Sequence, residues 1–599
     1  MDAQVTAARW LSDLAAHLAG DRPARAADLF HDDCYWRDFV AFTWDIATLE
    51  GPPAITAMLT ARGREVAAGN WTLDGMPKAA DGTVEFWFTF ETAVGRGRGH
   101  ARLRDGRCWT LLTALRELKG FEEKRGETRP LGTTHGAIRN RRTWADERAE
   151  DARLGVDRQP YVLIVGGGQG GLGLGARLKQ IGVPALIVDR HPRPGDAWRS
   201  RYRSLCLHDP VWFDHMPYLP FPEHWPVFTP KDKMGDWLEA YASIMELDLW
   251  SGTTCRRAAY DETTGEWTVE VERGGKAVTL RPKHLVLATG MSGKPQIPEL
   301  PGQAAFRGVQ HHSSTHPGGE GFAGQRCVVI GANNSAHDIA ADLWEHGAKV
   351  TMVQRSPTLV VRSETVQRLG WALYSEAAVK AGIDVDTADL IVASTPFAVL
   401  PQFLKPVVER MKREDAAFYE ALRAVGFMLT FGEDETGLGL MYPRRGSGYY
   451  IDVGASELIA TRRIALRSGV GVAGLTEDAV LLGDGTRLPA DLVVYATGYG
   501  SMTGWAADLI SQEVADKVGP CWGMGSGTAR DPGPWVGELR NMWKPTAQEG
   551  LWFHGGNLAQ SRHYSRYLAL QLKARFEGIL DGWKPAGAAV DPDRPGSGT

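Results

Sequence analysis

Over residues 1 to about 135 the apolar positions change period once. Val5–Leu18 and Ala24–Phe30 carry them three and four residues apart, which predicts two amphipathic helices. CYWRDFVAF then reads as a strand, and a short helix is predicted after Gly51-Pro-Pro. In TVEFWFTFE the period becomes two, so that Val84, Phe86, Phe88 and Phe90 share one face. Two further strand-like runs follow, GHARLR and RCWTLLTAL. Helices followed by a curved antiparallel sheet predict a small α+β domain over 1–135. Residues 136–158 are charged and lack an apolar period, and are predicted to be a linker.

Beyond the linker the pattern alternates between short apolar strands and helices. YVLIV (161–165) predicts a buried parallel strand, followed by GGGQGG, the helical LGLGARLKQIG and a second strand, PALIVD, ending in Asp189. Gly166, Gly168 and Gly171 fit G-x-G-x-x-G in the strand–turn–helix setting a dinucleotide needs. The first glycine permits the tight turn, the second lets a pyrophosphate approach, and the third lets helix and strand pack closely. The helix N-terminus then faces the phosphates, and Asp189 is placed to accept from a ribose. A looser copy lies at 326–355, where Gly331 and Ala336 take the outer glycine positions and Asn333 the middle one. Its second strand ends in Gln354-Arg355, and an Arg there suits a 2′-phosphate, favouring NADPH without excluding NADH. HLVLATG and DLVVYATGYG each end an apolar strand in Ala-Thr-Gly, bringing backbone close to a dinucleotide.

The expected architecture is therefore α/β, with two Rossmann-like dinucleotide-binding domains for FAD and NADP and an N-terminal α+β domain. Its predicted parts are a first FAD-binding portion at 159–322, an NADP-binding domain at 323–487 and the C-terminal FAD-binding portion at 488–599. Amphipathic patterns such as VVERMKREDAAFYEALRAVGF predict a helical insertion at about 364–440, roofing a substrate cavity. YPRRGSGYYIDVG is expected to return the chain to the sheet.

Composition narrows the class. Hydrophobic residues are 43% and charged residues 23%, with 70 glycines and 33 prolines spread along the chain. That describes a folded multidomain protein. The formal net charge of −5 argues against a nucleic-acid partner. Six cysteines without a C-x-x-C pair argue against a disulfide framework, a structural zinc site and a dithiol centre. No metal is expected. The N-terminal helix is interrupted by charge, and no apolar run reaches the roughly 20 residues that cross a bilayer. A cytoplasmic location follows as an expectation.

Between the two folds stands Phe306-Arg-Gly308-Val-Gln-His-His312-Ser-Ser-Thr-His316-Pro. This resembles the F-x-G-x-x-x-H-x-x-x-(W/Y/F) fingerprint of class B flavoprotein monooxygenases, and the likeness runs from about 159 to the end of the chain. His316 stands where that family usually has an aromatic residue. With the N-terminal extension, it resembles type II flavin-containing monooxygenases, a group with Baeyer–Villiger activity that accepts NADH as well as NADPH. The extension itself, with WRD at 36–38 and the EGPPAI turn, resembles the NTF2-like cone. Its His31, Asp32, Asp33, Asp38 and Asp45 are candidates for acid–base work, against a reading in which they cap helices, face solvent and leave the domain to packing or homo-oligomerisation.

The resemblance implies site residues. Gly195 and Trp198 would touch the flavin, with Leu207, His208 and Asp209 near its isoalloxazine ring. Asn333, Asn334, Ser335 and Arg355 would bind NADP, while Thr497, Gly498 and Asn557 would lie at the cofactor-facing turns. His312 would couple nicotinamide binding to domain position. Arg445, or its neighbour Arg444, would stabilise negative charge on the reacting oxygen. The implied activity is an NAD(P)H- and O2-dependent insertion of oxygen into a ketone through a C4a-peroxyflavin. N- or S-oxygenation of an amine or thioether is the alternative within the class. Outside it stands an NTF2-like ligand- or partner-binding protein on an inactive flavoprotein scaffold.

Overall fold

The computed structural model describes residues 2–523 and 538–581. In the N-terminal domain the helix Ala3–Ala19, capped by Asp2, turns Trp10, Leu11, Leu14 and Leu18 inward. They meet a seven-stranded sheet. Its strand Phe30–Phe39 pairs antiparallel with Ile46–Glu50 and parallel with Arg107–Leu118. The concave face is filled with buried rings, among them Trp10, Phe30, Trp36, Phe86, Phe88 and Phe90. Two glycines of the strand Gly95–Arg104 make this packing possible. A Cβ at Gly97 would meet the Phe90 ring at 2.3 Å, and one at Gly99 the Phe88 ring at 2.2 Å.

Asp38 departs from the solvent-facing expectation. It is fully buried and accepts from Phe42 N, Thr43 N, Thr43 Oγ1 and Thr113 Oγ1 at 2.6–3.0 Å. Its carboxylate organises the turn to Ile46, which Asp45 caps in its turn at Ile46 N. His31, Asp32 and Asp33 lie at the surface. The segment 136–158 contains one helix, Trp144–Asp151, with a Thr143–Asp146 capping box.

The first dinucleotide unit is a parallel sheet in the order Leu249–Trp250, Ala185–Val188, Val162–Val165, His284–Leu287, Leu551–Phe553. Its last strand comes from the far end of the chain. The helix that follows, Leu558–Phe576, packs on Gln169–Gln180. The second unit orders Val309–His312, Leu492–Tyr495, Arg326–Ile330, Lys349–Gln354 and Ala465–Ser468, again all parallel. It therefore reaches beyond 323–487 at both ends, because Leu492–Tyr495 takes its backbone partners from strands on either side. Of the expected 488–599 portion, residues 524–537 and 582–599 lie outside the described residues.

The units are joined by two antiparallel segments, in which Gln296 N donates to Gly498 O at 3.0 Å and Gly500 N to Lys294 O at 2.8 Å. The insertion runs from the helix Ser363–Leu369 to the helix Leu438–Arg445. It is closed by Leu359–Arg362 pairing with Tyr449–Asp452. YPRRGSGYYIDVG thus returns to a separate two-stranded ribbon, not to the main sheet, its first four residues ending the helix Leu438–Arg445.

Candidate active site at the junction of two dinucleotide units

Both units build the same turn. Gly166 has φ +114° and a Cβ there would lie 2.3 Å from the Ala288 carbonyl oxygen; Gly331 has φ +134° and its Cβ would lie 2.3 Å from that of Ala496. These alanines open the two Ala-Thr-Gly segments, so each strand end presses on its own glycine turn. Gly171 is held by distance, since its Cβ would sit 1.8 Å from Gly166 O. Gly168 differs. Its φ of −80° suits any residue, and a Cβ would meet no protein atom within 4 Å. Neither strain nor packing requires glycine there, and the open space at the helix N-terminus is the cradle a pyrophosphate fits. Asn333 holds the equivalent N-cap with a similar extended backbone, so its side chain is tolerated.

The remaining residues divide by what their side chains already do. Asp189 accepts from Gly167 N at 2.5 Å and His191 N at 2.8 Å, leaving acceptor capacity for a ribose hydroxyl. Gly195, at φ +85°, abuts the Gly235 carbonyl, and Trp198 Nε1 donates to Gln169 of the glycine turn at 3.3 Å. Arg355 is exposed at the end of its strand, available to a 2′-phosphate. Asn334 Oδ1 instead accepts from Ile451 N at 3.0 Å, tying its helix to the ribbon, and Ser335 faces the Tyr202 hydroxyl. Asn557 Oδ1 caps its own helix at Gln560 N, and Thr497 Oγ1 donates to Gln296 O at 2.5 Å. The Asn334 and Asn557 side-chain oxygens and the Thr497 hydroxyl proton are therefore already engaged, which leaves amide Nδ2 donors, hydroxyl lone pairs and backbone for a cofactor.

His312 ends the edge strand of the second unit and is buried. Its Nδ1 accepts from Ser314 N at 3.1 Å, which leaves Nε2–H to donate to Gly498 O at 3.0 Å. Burial holds its pKa below the usual imidazole value, keeping the neutral form that makes both bonds. The ring thus clamps the segments joining the two units. His316, the departure from the family pattern, fills an aromatic position: it is buried and stacks on Phe322 at 6.1 Å, with His311 Nε2 at 2.9 Å from its Nδ1. His312→Ala is expected to keep FAD but slow its bleaching by NADPH by about tenfold or more, since a small misplacement of reacting groups is costly. Unchanged bleaching in stopped-flow absorbance would remove the clamp from the reaction.

The segment 207–214 brings acids and aromatics together. Leu207 is buried, and His208 meets the Tyr449 ring edge-on at 6.3 Å. Burial raises the carboxyls of Asp209 and Asp214 above the usual range, and Asp214 is wholly enclosed, with no hydrogen-bond partner among the described residues. Nearby, Tyr442 packs on Trp522 at 5.2 Å. Of the candidate arginines, Arg444 is committed to Asp434 by bonds of 2.9 and 2.6 Å. Arg445 is half-buried at the end of its helix, beside Gly446, where a Cβ would touch Met291, the residue following Ala288-Thr-Gly290. His312 and Arg445 therefore stand on separate elements, an edge strand of the second unit and the helix that ends the insertion.

Some residues escaped the sequence reading. Arg562 of the last helix donates to the carbonyls of Phe213 and His215, both at 2.7 Å, and pairs with Asp389 of the insertion at 2.8 Å. Tyr202 Oη donates to Asp338 at 2.8 Å across the junction. Arg37 pairs with Glu538. Nothing local marks these partners. Among the described residues no helix is long and apolar enough to cross a membrane, and no three His, Cys, Asp or Glu side chains are grouped to hold a metal ion.

Two dinucleotide turns facing one junction define a flavoprotein oxidoreductase that passes electrons from a nicotinamide to a flavin. A family model described as pyridine nucleotide-disulphide oxidoreductase matches residues 163–370. The rice indole-3-pyruvate monooxygenase YUCCA1 is 32% identical over 364 residues, 60% of this chain and 82% of that protein. The probable Arabidopsis thaliana YUCCA1 is 30% identical, over 57% of this chain and 75% of its own. A solved flavin-containing monooxygenase from Stenotrophomonas maltophilia aligns over 70% of this chain and 99% of its own, at 19% identity and a TM-score of 0.46. The chain belongs to the class B flavoprotein monooxygenases. It is an FAD-dependent enzyme that uses NADPH and O2 on a small-molecule substrate.

Proposed function

We propose that the substrate presents a ketone carbonyl, beside which one oxygen atom is inserted to give an ester or lactone. The other atom of O2 leaves as water, with two electrons from NADPH. Bound FAD supplies the hydride acceptance and oxygen activation. The chain supplies placement, charge and dryness. The observation that carries this reading is Arg445, a cation at a helix end whose next residue, Gly446, lies against Met291, one residue past the Ala288-Thr-Gly290 turn; there it would favour an anionic, nucleophilic oxygen over a protonated, electrophilic one. Arg444 cannot share the task while Asp434 holds it. Burial pushes the Tyr442 phenol up, so it stays a hydrogen-bond donor, and Trp522, buried against it, keeps water out. The relatives also favour a carbonyl, since indole-3-pyruvate carries a 2-oxo group; a 2-oxo acid is a second form of the reading, in which oxygen enters beside the carbonyl and the carboxyl leaves as CO2, giving a carboxylic acid one carbon shorter.

The test incubates the holoenzyme with NADPH and air in the presence of a cyclobutanone, an aryl methyl thioether or indole-3-pyruvate. Lactone as the main product supports ketone insertion, and turnover of indole-3-pyruvate alone supports the 2-oxo acid form. Sulfoxide without either carbonyl product would overturn both. Arg445→Ala is expected to lower oxygenated product by about 100-fold, the scale for losing one preorganised charge-stabilising group. Its FAD content and NADPH-driven flavin reduction should hold.

A further inference from the structure

Three consecutive residues of the first unit grip the second. Arg201 Nη2 donates to Tyr499 Oη at 2.7 Å, Tyr202 Oη to Asp338 Oδ2 at 2.8 Å, and Arg203 Nη1 to Glu320 Oε1 at 2.5 Å. The three partners lie on different pieces of the junction: the joining segment, the helix Asn334–Glu345 and the turn Glu320–Phe322. They are unequal in weight. Arg203 and Glu320 are 70% and 63% exposed, so water and salt weaken their attraction. Tyr202 is 2% exposed, and its ring belongs to the apolar core of the second unit, among Ala332, Ala336 and Ile339. By sequence it belongs to the first unit, five residues before Leu207.

Asp338 sits one turn into the helix whose N-terminus carries Asn333 and Asn334. Enclosure raises its carboxyl to about 6, so at neutral pH it is mostly ionised and depends on its donor. The groups facing it are the Tyr202 hydroxyl, His208, Cys206 and Tyr450. Ser335 bonds the same Tyr202 hydroxyl from the helix. One phenol therefore ties the loop leading to Leu207–Asp209, which would face the flavin, to the helix that would hold the nicotinamide nucleotide.

We propose that Tyr202 and Asp338 are positioning residues for hydride delivery, fixing the nicotinamide-binding helix against the loop that leads to Leu207–Asp209. The inference rests on the family's two cofactors and is independent of the ketone reading. Hydride transfer needs reacting atoms within about 3–3.5 Å, and a misplacement of about 1 Å costs on the order of 100-fold. Loosening the pair should therefore slow flavin reduction while the nucleotide still binds.

The experiment compares holoenzyme with Tyr202→Phe, Asp338→Asn and the double variant. Hydrogen exchange reads peptides covering 201–207 and 334–345, and anaerobic stopped-flow reads FAD reduction by NADPH. Each single variant should lose protection in both segments together. The limiting reduction rate should fall about tenfold or more, with FAD content and NADPH dissociation constant within about twofold of wild type, a shift of only about 0.4 kcal/mol. The double variant should be no slower than the slower single, as expected when both changes break one interaction. Unchanged protection, a loss confined to 201–207, an unchanged rate, or effects that multiply in the double variant would each overturn the proposal. Should Tyr202→Phe fail to fold with FAD, Asp338→Asn decides by the same exchange and rate criteria.

Discussion

Gly171→Ala is expected to yield a colourless protein. The added Cβ would lie 1.8 Å from the Gly166 carbonyl oxygen, 3.0 Å from its carbonyl carbon and 3.3 Å from Ile164 Cγ2. Two of these are backbone atoms, so no side-chain rotation relieves the clash. The helix Gln169–Gln180 would have to lift from the strand Val162–Val165, which is buried along its whole length. Overpacking of this kind costs about 1–3 kcal/mol or more and would spoil the turn that cradles the pyrophosphate. Ala336 occupies the same motif position in the second unit, so the demand comes from the local helix–strand distance in the first. Gly168→Ala separates fold from ligand, because its Cβ meets no protein atom and its φ is −80°. Its apoprotein should melt as wild type does, while FAD affinity falls by about tenfold or more, at least 1.4 kcal/mol. FAD absorbance of the purified variants and melting of their apo forms check both. Wild-type FAD binding by Gly168→Ala would remove the phosphate from the place given to it.

The contrast between these glycines shows what a sequence carries. The two dinucleotide turns were legible because their logic is local: glycine spacing, a strand before, a helix after. His312 was legible through a fingerprint of the same kind. What was not legible depends on partners far along the chain. Leu492–Tyr495 lies by sequence in the closing portion, yet its backbone pairs with Val309–His312 and Arg326–Ile330. Asp38 reads as an acid–base candidate or a solvent-facing acid, yet a turn four and five residues on brings three of its donors. Asn557 looks like a flavin contact in its Gly-Gly-Asn turn, while its Oδ1 makes a helix cap whose signal, Gln560 three residues later, was present in the sequence. Tyr202 is one aromatic among many until its ring is found in the other unit's core.

Arg37→Met is expected to be the most destabilising single change in the N-terminal domain. The guanidinium makes two bonds of 2.7 Å to Glu538, one of 2.8 Å to Ala393 O, and longer ones to Thr395 O and Tyr564 Oη. It lies between the Phe39 and Phe397 rings, 4.8 Å from each centroid. One side chain thus holds the first domain to the insertion, to Glu538 and to the last helix. Arg37 and Glu538 are 2% and 4% exposed, so removal of the arginine leaves a buried carboxylate whose remaining side-chain donor among the described residues is the neutral Thr48 Oγ1. Breaking a buried pair from one side costs about 3–5 kcal/mol, mostly the penalty of the stranded charge. Arg37→Met/Glu538→Gln removes that charge and should recover a large part of the loss. Thermal unfolding followed by release of FAD fluorescence checks the pattern, because Tyr564 lies on the helix that packs on Gln169–Gln180. A single variant melting like wild type would show that the domain is held elsewhere, with Arg102–Ser394 and Arg116–Asp386 next in line. A double variant no better than the single would place the cost in lost bonds to the 393 and 395 carbonyls, not in the buried charge.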